Sequence, residues 1–267
     1  MKRNHLGHCM HLANIPKLNP PQVRPCKVCY SHSYVWGMID FNKPPKESRG
    51  YELEPSGTLI AYNRCIECGF VFSPSFDNWS SDEWSQFVYN DIYALIDPGG
   101  VDERPRGNAI FLQNLFGASK GDISILDYGC GNGKLAENLV RYGFRDTCNY
   151  DPLIPQFSAQ PGRKFSVVTC FEVFEHLADP ATVAKSICDL VDKEGLIIFS
   201  TLLQPSDFED RGLYWWYVNP RSGHISIFSR DALTRMFRKW GFTIVSINEG
   251  LHVAFQSIPH FARHLFA

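Results

Sequence analysis

From Gly121 onward the apolar positions change period several times. Ile123–Asp127, Asp146–Tyr150, Phe165–Cys170, Gly195–Ser200, Ile225–Ser229 and Thr243–Ile247 are short apolar or β-branched runs that read as strands. Between them, Lys134–Tyr142, Pro180–Val191 and Asp231–Trp240 space their apolar residues at helical intervals, which predicts three helices. Asp231, just after Ser229, reads as the cap of the last helix, and Gly241 as its end. Strands that alternate with helices predict an α/β domain built on a mostly parallel, doubly wound sheet. Pro152–Gly162 is too short for a helix plus a strand, so one edge element is expected to be missing. A long aromatic insert, Leu202–Gly223, interrupts the alternation.

Upstream the pattern is looser. Ser80-Ser-Asp-Glu83 reads as a helix cap leading into an aromatic-rich helix, and Pro98-Gly-Gly100 breaks it. A second helix is predicted over Pro105–Phe116, ahead of Gly117. Tyr89, Tyr93 and Arg106 are candidates for lining a pocket or for plain packing. Tyr34–Phe41 and Leu59–Asn63 are β-like runs either side of a turn-rich insert, Asn42-Lys-Pro-Pro-Lys46 and Pro55-Ser-Gly57. Met1–Pro25 is proline-punctuated and polar; His5, His8, Cys9 and His11 cluster in it, but a flexible leader is the simpler reading. The expected organisation is an arm (1–24), a cysteine module (25–75), a helical linker or cap (76–120) and an α/β domain (121–267).

Composition narrows the classes. A hydrophobic content of 44% and a charged content of 20% over 267 residues suit one large or two smaller globular domains. A net charge of −2 makes nucleic acid an unlikely partner. No apolar run is long enough for a membrane span, and the N-terminus has no apolar core of a secretory signal, so a cytoplasmic protein is expected.

Nine cysteines without an export signal argue against a disulfide framework. Cys148, Cys170 and Cys188 read as small buried hydrophobes. Cys26 and Cys29, and Cys65 and Cys68, form two Cys-x-x-Cys knuckles with 35 residues between them. Two such knuckles offer four soft ligands for a tetrahedral structural zinc, with no open coordination position. The module reads as a lengthened zinc ribbon; a thioredoxin-like redox pair would lack its βαβ context.

The most informative stretch is Ile123–Gly133, Ile-Ser-Ile-Leu-Asp-Tyr-Gly-Cys-Gly-Asn-Gly. A strand ends in Asp127, turns through glycines at alternate positions and opens a helix, a geometry that turns backbone N–H groups and a helix N-terminus toward a ligand. The spacing fits neither a Walker phosphate loop nor a Gly-x-Gly-x-x-Gly dinucleotide fingerprint. Asp-x-Gly-x-Gly-x-Gly instead resembles motif I of class I S-adenosylmethionine-dependent methyltransferases. The resemblance continues in Asp151, at the end of the second strand, and in Val168-Thr-Cys-Phe-Glu-Val-Phe-Glu-His176, which is similar to the segment of the E-V-x-E-H branch. Trp215–Leu233 resembles a substrate-side loop and sixth strand of bacterial members, and the cysteine module is similar to one fused to sugar-type methyltransferases.

The resemblance implies a Rossmann-like methyltransferase sheet with a small zinc-ribbon-like module before it. It implies S-adenosylmethionine bound by Asp127, Gly129, Cys130, Gly131, Asp151, Phe171 and Glu172. Catalytic candidates are His224, His176 and Glu172; neutral imidazole is a base suited to pH near 7. Trp215, Trp216 and Tyr217 are candidates for an acceptor wall or for packing. The acceptor implied is a hydroxyl or carbon of a small-molecule or glycan-linked compound. Two rivals remain. Glu172, Glu175, His176 and His224 resemble the metal set of 2′-O-methyltransferases acting on RNA 3′ ends, and a zinc scaffold that binds cofactor without turnover is the non-enzymatic alternative. The sequence leaves the acceptor and the oligomeric state open.

Overall fold

A computed structural model describes residues 23–43 and 53–266. The leader cluster of His5, His8, Cys9 and His11, and the Pro44–Lys46 part of the insert, lie outside them. In chain order the elements are β1 (Ser33–Asp40), β2 (Leu59–Cys65), β3 (Val71–Phe72), α1 (Ser81–Phe87), α2 (Tyr93–Ile96) and α3 (Glu103–Phe116). Then follow β4 (Ser124–Tyr128), α4 (Lys134–Arg141), β5 (Asp146–Tyr150), β6 (Phe165–Phe171), α5 (Pro180–Leu190) and β7 (Val191–Ser200). The chain closes with α6 (Phe208–Arg211), β8 (Ser226–Ile227), α7 (Arg230–Arg238), β9 (Thr243–Ser246) and β10 (Leu251–Phe255).

Six strands form the central sheet in the order β5-β4-β6-β7-β10-β9. β5, β4, β6 and β7 run parallel, and β10 runs antiparallel to both β7 and β9. β6 has nearly every side chain buried because helices cover both its faces, which is why it reads as a continuous apolar run. Between β5 and β6 there is only a 3-10 turn, Pro155–Phe157, so the expected missing edge element is indeed missing. α4 turns Leu135, Ala136 and Leu139 onto the sheet and its Lys134–Glu137–Arg141 pairs to solvent. α3 packs beside it through Ala109, Leu112 and Phe116.

Two expectations are corrected, and one strand lay outside them. The strand predicted over Ile225–Ser229 shortens to β8 and joins the other sheet, β1-β2-β3-β8, by pairing with β3. The sixth-strand reading of that segment is therefore wrong: it ties the insert to the cysteine module. β10 went unpredicted, with the polar His252 as its second residue. That histidine is fully buried, and its two ring nitrogens lie 2.9 Å from Ser246 Oγ and 3.0 Å from Thr201 O. The cap of α7 is Ser229, whose hydroxyl accepts the Ala232 N–H; Asp231 pairs with Arg235 instead. At α1, by contrast, the capping box of Ser80 and Glu83 forms as predicted.

The two sheets share cores. One cluster joins Cys26, Cys65, Cys68, Phe70 and Phe72 to Phe174, Phe199, Phe228 and Phe237. Another joins Phe41, Ile60, Tyr62 and Val71 to Trp215, Tyr217, Val218 and Ile225. The aromatic insert is thus packed against the N-terminal module.

Candidate active site

Two adjoining cavities open above the C-terminal ends of β4, β5 and β6. The first, of about 620 Å³, is lined by Asp127, Gly129, Cys130, Gly131, Asp151, Phe171 and Glu172, all of them expected there from the sequence. The second, of about 740 Å³, is lined by Glu172, His176, His224, Trp216, Tyr217 and Asn219 among others. Glu172, His176, Asp97 and Arg104 border both, so the cavities meet at those side chains.

The glycine turn builds the floor of the first cavity. Four of its amides are already engaged. Gly129 and Cys130 donate to Tyr150 O at 2.8 and 3.2 Å, Gly133 to Cys130 O, and Gly131 to Asp151 Oδ2 at 2.9 Å. The expectation that these N–H groups face a ligand is corrected: they fix the turn and orient Asp151. Gly129 and Gly131 both hold positive φ, +77° and +51°. A Cβ on Gly129 would lie 2.4 Å from Val173 Cγ2, whereas one on Gly131 meets nothing within 4 Å. Gly131 therefore leaves open space where the cavity begins.

Asp127 is 6% exposed, and Thr169 Oγ1 donates to its Oδ1 at 3.0 Å. Burial pushes its carboxyl up to about 7, against the pull of that hydroxyl. A buried carboxylate with so little support suits a cationic partner. Asp151 is set differently: its Oδ1 accepts Leu153 N–H and its Oδ2 accepts Gly131 N–H, which fixes the carboxylate on the wall of the first cavity with a further lone pair on each oxygen.

At the junction, Glu172 holds a left-handed φ of +55°, one of two non-glycine residues among those described that do so. Ser200 Oγ accepts its backbone N–H at 2.8 Å and donates to its Oε1 at 2.5 Å. Such strain persists only where the surroundings enforce it, here the Ser200 hydroxyl bonded to both the backbone and the carboxylate of Glu172. The Phe174–His176 3-10 turn then places Glu175 inward and His176 on the cavity wall.

Glu175 is 0% exposed, and neither carboxylate oxygen makes a well-formed hydrogen bond, although the Tyr217 and Thr201 side chains approach closely enough to favour its charged form. Burial, with Glu172 nearby, pushes its carboxyl well above the usual range. A ligating atom from each of Glu175, His176 and His224 falls within 4.8 Å of the others. His224 Nδ1 lies 2.9 Å from Tyr217 O. A carbonyl only accepts, so Nδ1 carries the proton there and Nε2 of the neutral ring is left with its lone pair. Burial lowers the pKa of both histidines, that of His176 well below the usual value. The three catalytic candidates, His224, His176 and Glu172, are thus brought onto one wall. Trp215 is in the core instead, while Trp216 and Tyr217 line the cavity.

Tyr89 and Tyr93 also line the first cavity, but Arg106 does not. Arg104 does, paired with Asp97 through its Nη1 and Nη2. Sequence reading missed these two, because the Pro98-Gly-Gly100 break hides that they lie near each other. The four module cysteines converge as predicted: Sγ separations are 3.6 Å for Cys26–Cys68, 3.4 Å for Cys29–Cys65 and 3.5 Å for Cys29–Cys68. A zinc tetrahedron with bonds of about 2.3 Å has edges of about 3.8 Å, so the cluster fits such an ion closely.

Among known proteins, the family model described as a methyltransferase domain matches residues 102–247, more than half of the chain. The ubiquinone biosynthesis O-methyltransferase of Colwellia psychrerythraea is 36% identical over 105 residues, covering 30% of this chain and 42% of the relative. That of Yersinia enterocolitica is 32% identical over 104 residues, covering 30% and 43%. The chain therefore spans about two fifths of the length of the curated relatives it matches. A solved structure, the 1,6-didemethyltoxoflavin-N1-methyltransferase of Burkholderia thailandensis, is 16% identical, covers 71% of this chain and 94% of its own, and has a TM-score of 0.45.

Proposed function

The chain belongs to the methyltransferase-domain family, and from that premise we propose that it transfers the methyl group of S-adenosylmethionine to a hydroxyl of a small-molecule acceptor. The observation that carries the reading is the meeting of two cavities at Glu172 and His176, one floored by the Asp127–Gly131 turn and the other walled by His224. O-methylation is favoured over carbon or nitrogen because the curated relatives bear that name. A glycan-linked hydroxyl is the same chemistry on a larger acceptor.

When bound, S-adenosylmethionine would supply an activated methyl group, with its sulfonium becoming a neutral thioether as the methyl is passed on. Asp127 fits the cofactor's ammonium, since a buried carboxylate gains most from a cation. Asp151 fits the ribose hydroxyls, which donate to its free lone pairs. Gly131 leaves the room, and Cys130 and Phe171 give apolar contact. On the acceptor side His224 Nε2 takes the hydroxyl proton, and Trp216 and Tyr217 exclude water. Alignment of the acceptor by this wall is the larger lever on rate. Cys26, Cys29, Cys65 and Cys68 would hold one structural Zn²⁺.

The test is labelled methyl transfer into the small-molecule fraction of a cell extract. His224→Ala is expected to slow transfer by about 10²-fold or more with S-adenosylhomocysteine affinity preserved. Absence of transfer to any fraction by the wild type would leave the non-catalytic scaffold as the better reading.

One observation favours a second reading, metal-assisted transfer. Glu175 is fully buried with no well-formed hydrogen bond to either oxygen, and its carboxylate, His176 and His224 bring ligand atoms within 4.8 Å of one another, as a divalent ion's ligands would be. The net charge of −2 gives no support to RNA as the acceptor in that case. Metal analysis decides it: a second equivalent of metal beyond the zinc, lost in Glu175→Ala along with activity, favours the metal, and zinc alone refutes it.

A further inference from the structure

We propose that Lys43 and Tyr62, both from the N-terminal module, are positioning residues for the insert that leads into His224; what that insert is for rests on the methyltransferase reading above. Lys43 follows β1 and projects its ammonium into the insert. Its Nζ donates to Leu213 O at 2.6 Å, Trp215 O at 2.7 Å and Val218 O at 2.8 Å. An ammonium has three donors and no acceptor, so three carbonyls satisfy it fully. The segment it gathers has little regular structure of its own, only the Gly212–Tyr214 3-10 turn.

Tyr62, on β2, is fully buried and its hydroxyl donates to His224 O at 2.8 Å. The remaining anchors of His224 come from the segment that Lys43 holds or from its immediate continuation. Tyr217 O accepts from the ring, and Asn219 O accepts the His224 N–H at 2.9 Å. Lys43 thus fixes the carbonyls around Tyr217, and Tyr217 fixes the tautomer and direction of the imidazole. Trp216 and Tyr217, which line the acceptor cavity, sit between the held carbonyls.

Hydrophobic packing does not do this job. Phe41, Ile60 and Tyr62 share a core with Trp215, Tyr217 and Val218, which keeps the insert close to the module. Burial is non-directional, however, and a carbonyl that swings away from Lys43 loses no apolar contact. Neither Lys43 nor Tyr62 borders either cavity, so neither touches cofactor or acceptor. They act through the insert.

The experiment is hydrogen exchange of the full chain, read in the peptide spanning 212–224 and, as reference, in the peptide spanning 123–133. Lys43→Met is expected to speed exchange in 212–224 by about tenfold, with the reference peptide unchanged. Lys43→Arg, which keeps the donors, is expected to restore protection. The half-saturating concentration of cell-extract acceptor rises in Lys43→Met, while that of S-adenosylmethionine stays within about twofold. Should Lys43→Met fail to fold, Tyr62→Phe removes a single hydroxyl and is read in the same peptide. Unchanged exchange of 212–224 in a folded Lys43→Met or Tyr62→Phe variant overturns the proposal. A wild type that binds no S-adenosylhomocysteine overturns the methyltransferase reading instead, and the exchange data still decide the positioning claim.

Discussion

Asp127 and Asp151 stand at adjacent strand ends yet carry different burdens. Asp151 spends lone pairs on two backbone amides, while Asp127 is buried with the support of one hydroxyl, and its carboxyl rises to about 7. Without a ligand Asp127 therefore keeps its proton below that pH. An ammonium-bearing ligand needs the carboxylate, so affinity for S-adenosylhomocysteine should climb as pH rises through about 7 and then level off. Asp127→Asn should flatten that profile, which calorimetry across the range checks. The sign for the unliganded fold is opposite. A carboxyl raised from 3.8 to about 7 favours the folded state when protonated, so this contribution is lost as pH rises through about 7. Gly131 gives a second residue-scale prediction. Its Cβ would meet nothing in the protein, so Gly131→Ala should cost only about 1–2 kcal/mol of stability from its left-handed φ. The same methyl would enter the cavity, so cofactor affinity should fall by about tenfold or more, separating binding from folding. Gly129→Ala, which drives a Cβ to 2.4 Å from Val173, should lose both, as thermal melts and calorimetry together would show. Cys130 also lines this cavity, but burial pushes its thiol up to about 12, so alkylation of it at pH 8 should be negligible in a mass-mapped labelling experiment.

At the scale of elements, Ser229 ends one structure and begins another. Its hydroxyl accepts the Ala232 N–H at the start of α7 and donates to Cys68 O. Ser229→Ala should cost about 1–2 kcal/mol in chemical denaturation, at the upper end of cap losses because a cross-module bond goes with it. The reading of Asp231 as the cap failed because two capping residues stand close together, and only tertiary contact decides between them. The strands and helices with strong periodicity, β4, α4, β6, α5 and α7, were legible from the pattern alone. β8 was not: Ile225–Ser229 reads as a strand, and no local signal says which sheet it joins. Nor was β10, whose second residue, His252, is a polar one in a buried position with partners from Ser246 and Thr201. The same limit applies at the site. Asp127, Asp151 and the glycine turn lie within one strand–helix–strand unit and could be read together. The Asp97–Arg104 pair is local, but the Pro98-Gly-Gly100 break between them hides it, and the gathering of Glu175, His176 and His224 was legible only through the family resemblance.

Over the whole molecule, the cysteine module and the α/β sheet are joined by a packed interior as well as by polar bonds. Gln204 Nε2 donates to Gly69 O at 2.8 Å, Lys239 donates to Val28 O, and Arg64 pairs with Glu209. If the four cysteines hold zinc, its removal should loosen the 202–229 segment along with the module, because they share cores. The first cavity, built mainly from β4, β5, β6 and the glycine turn, should retain more of its structure. No helix among the described residues is long and apolar enough to cross a membrane.

The central claim is that the Asp127–Gly131 turn and Asp151 form the seat of a sulfonium cofactor. Isothermal titration of the whole chain with S-adenosylhomocysteine at pH 8 tests it most directly. One site per chain is expected in the wild type, with affinity reduced by about tenfold or more in folded Asp151→Ala and in Asp127→Ala. No heat in the wild type, or equal affinity in all three proteins, would contradict it.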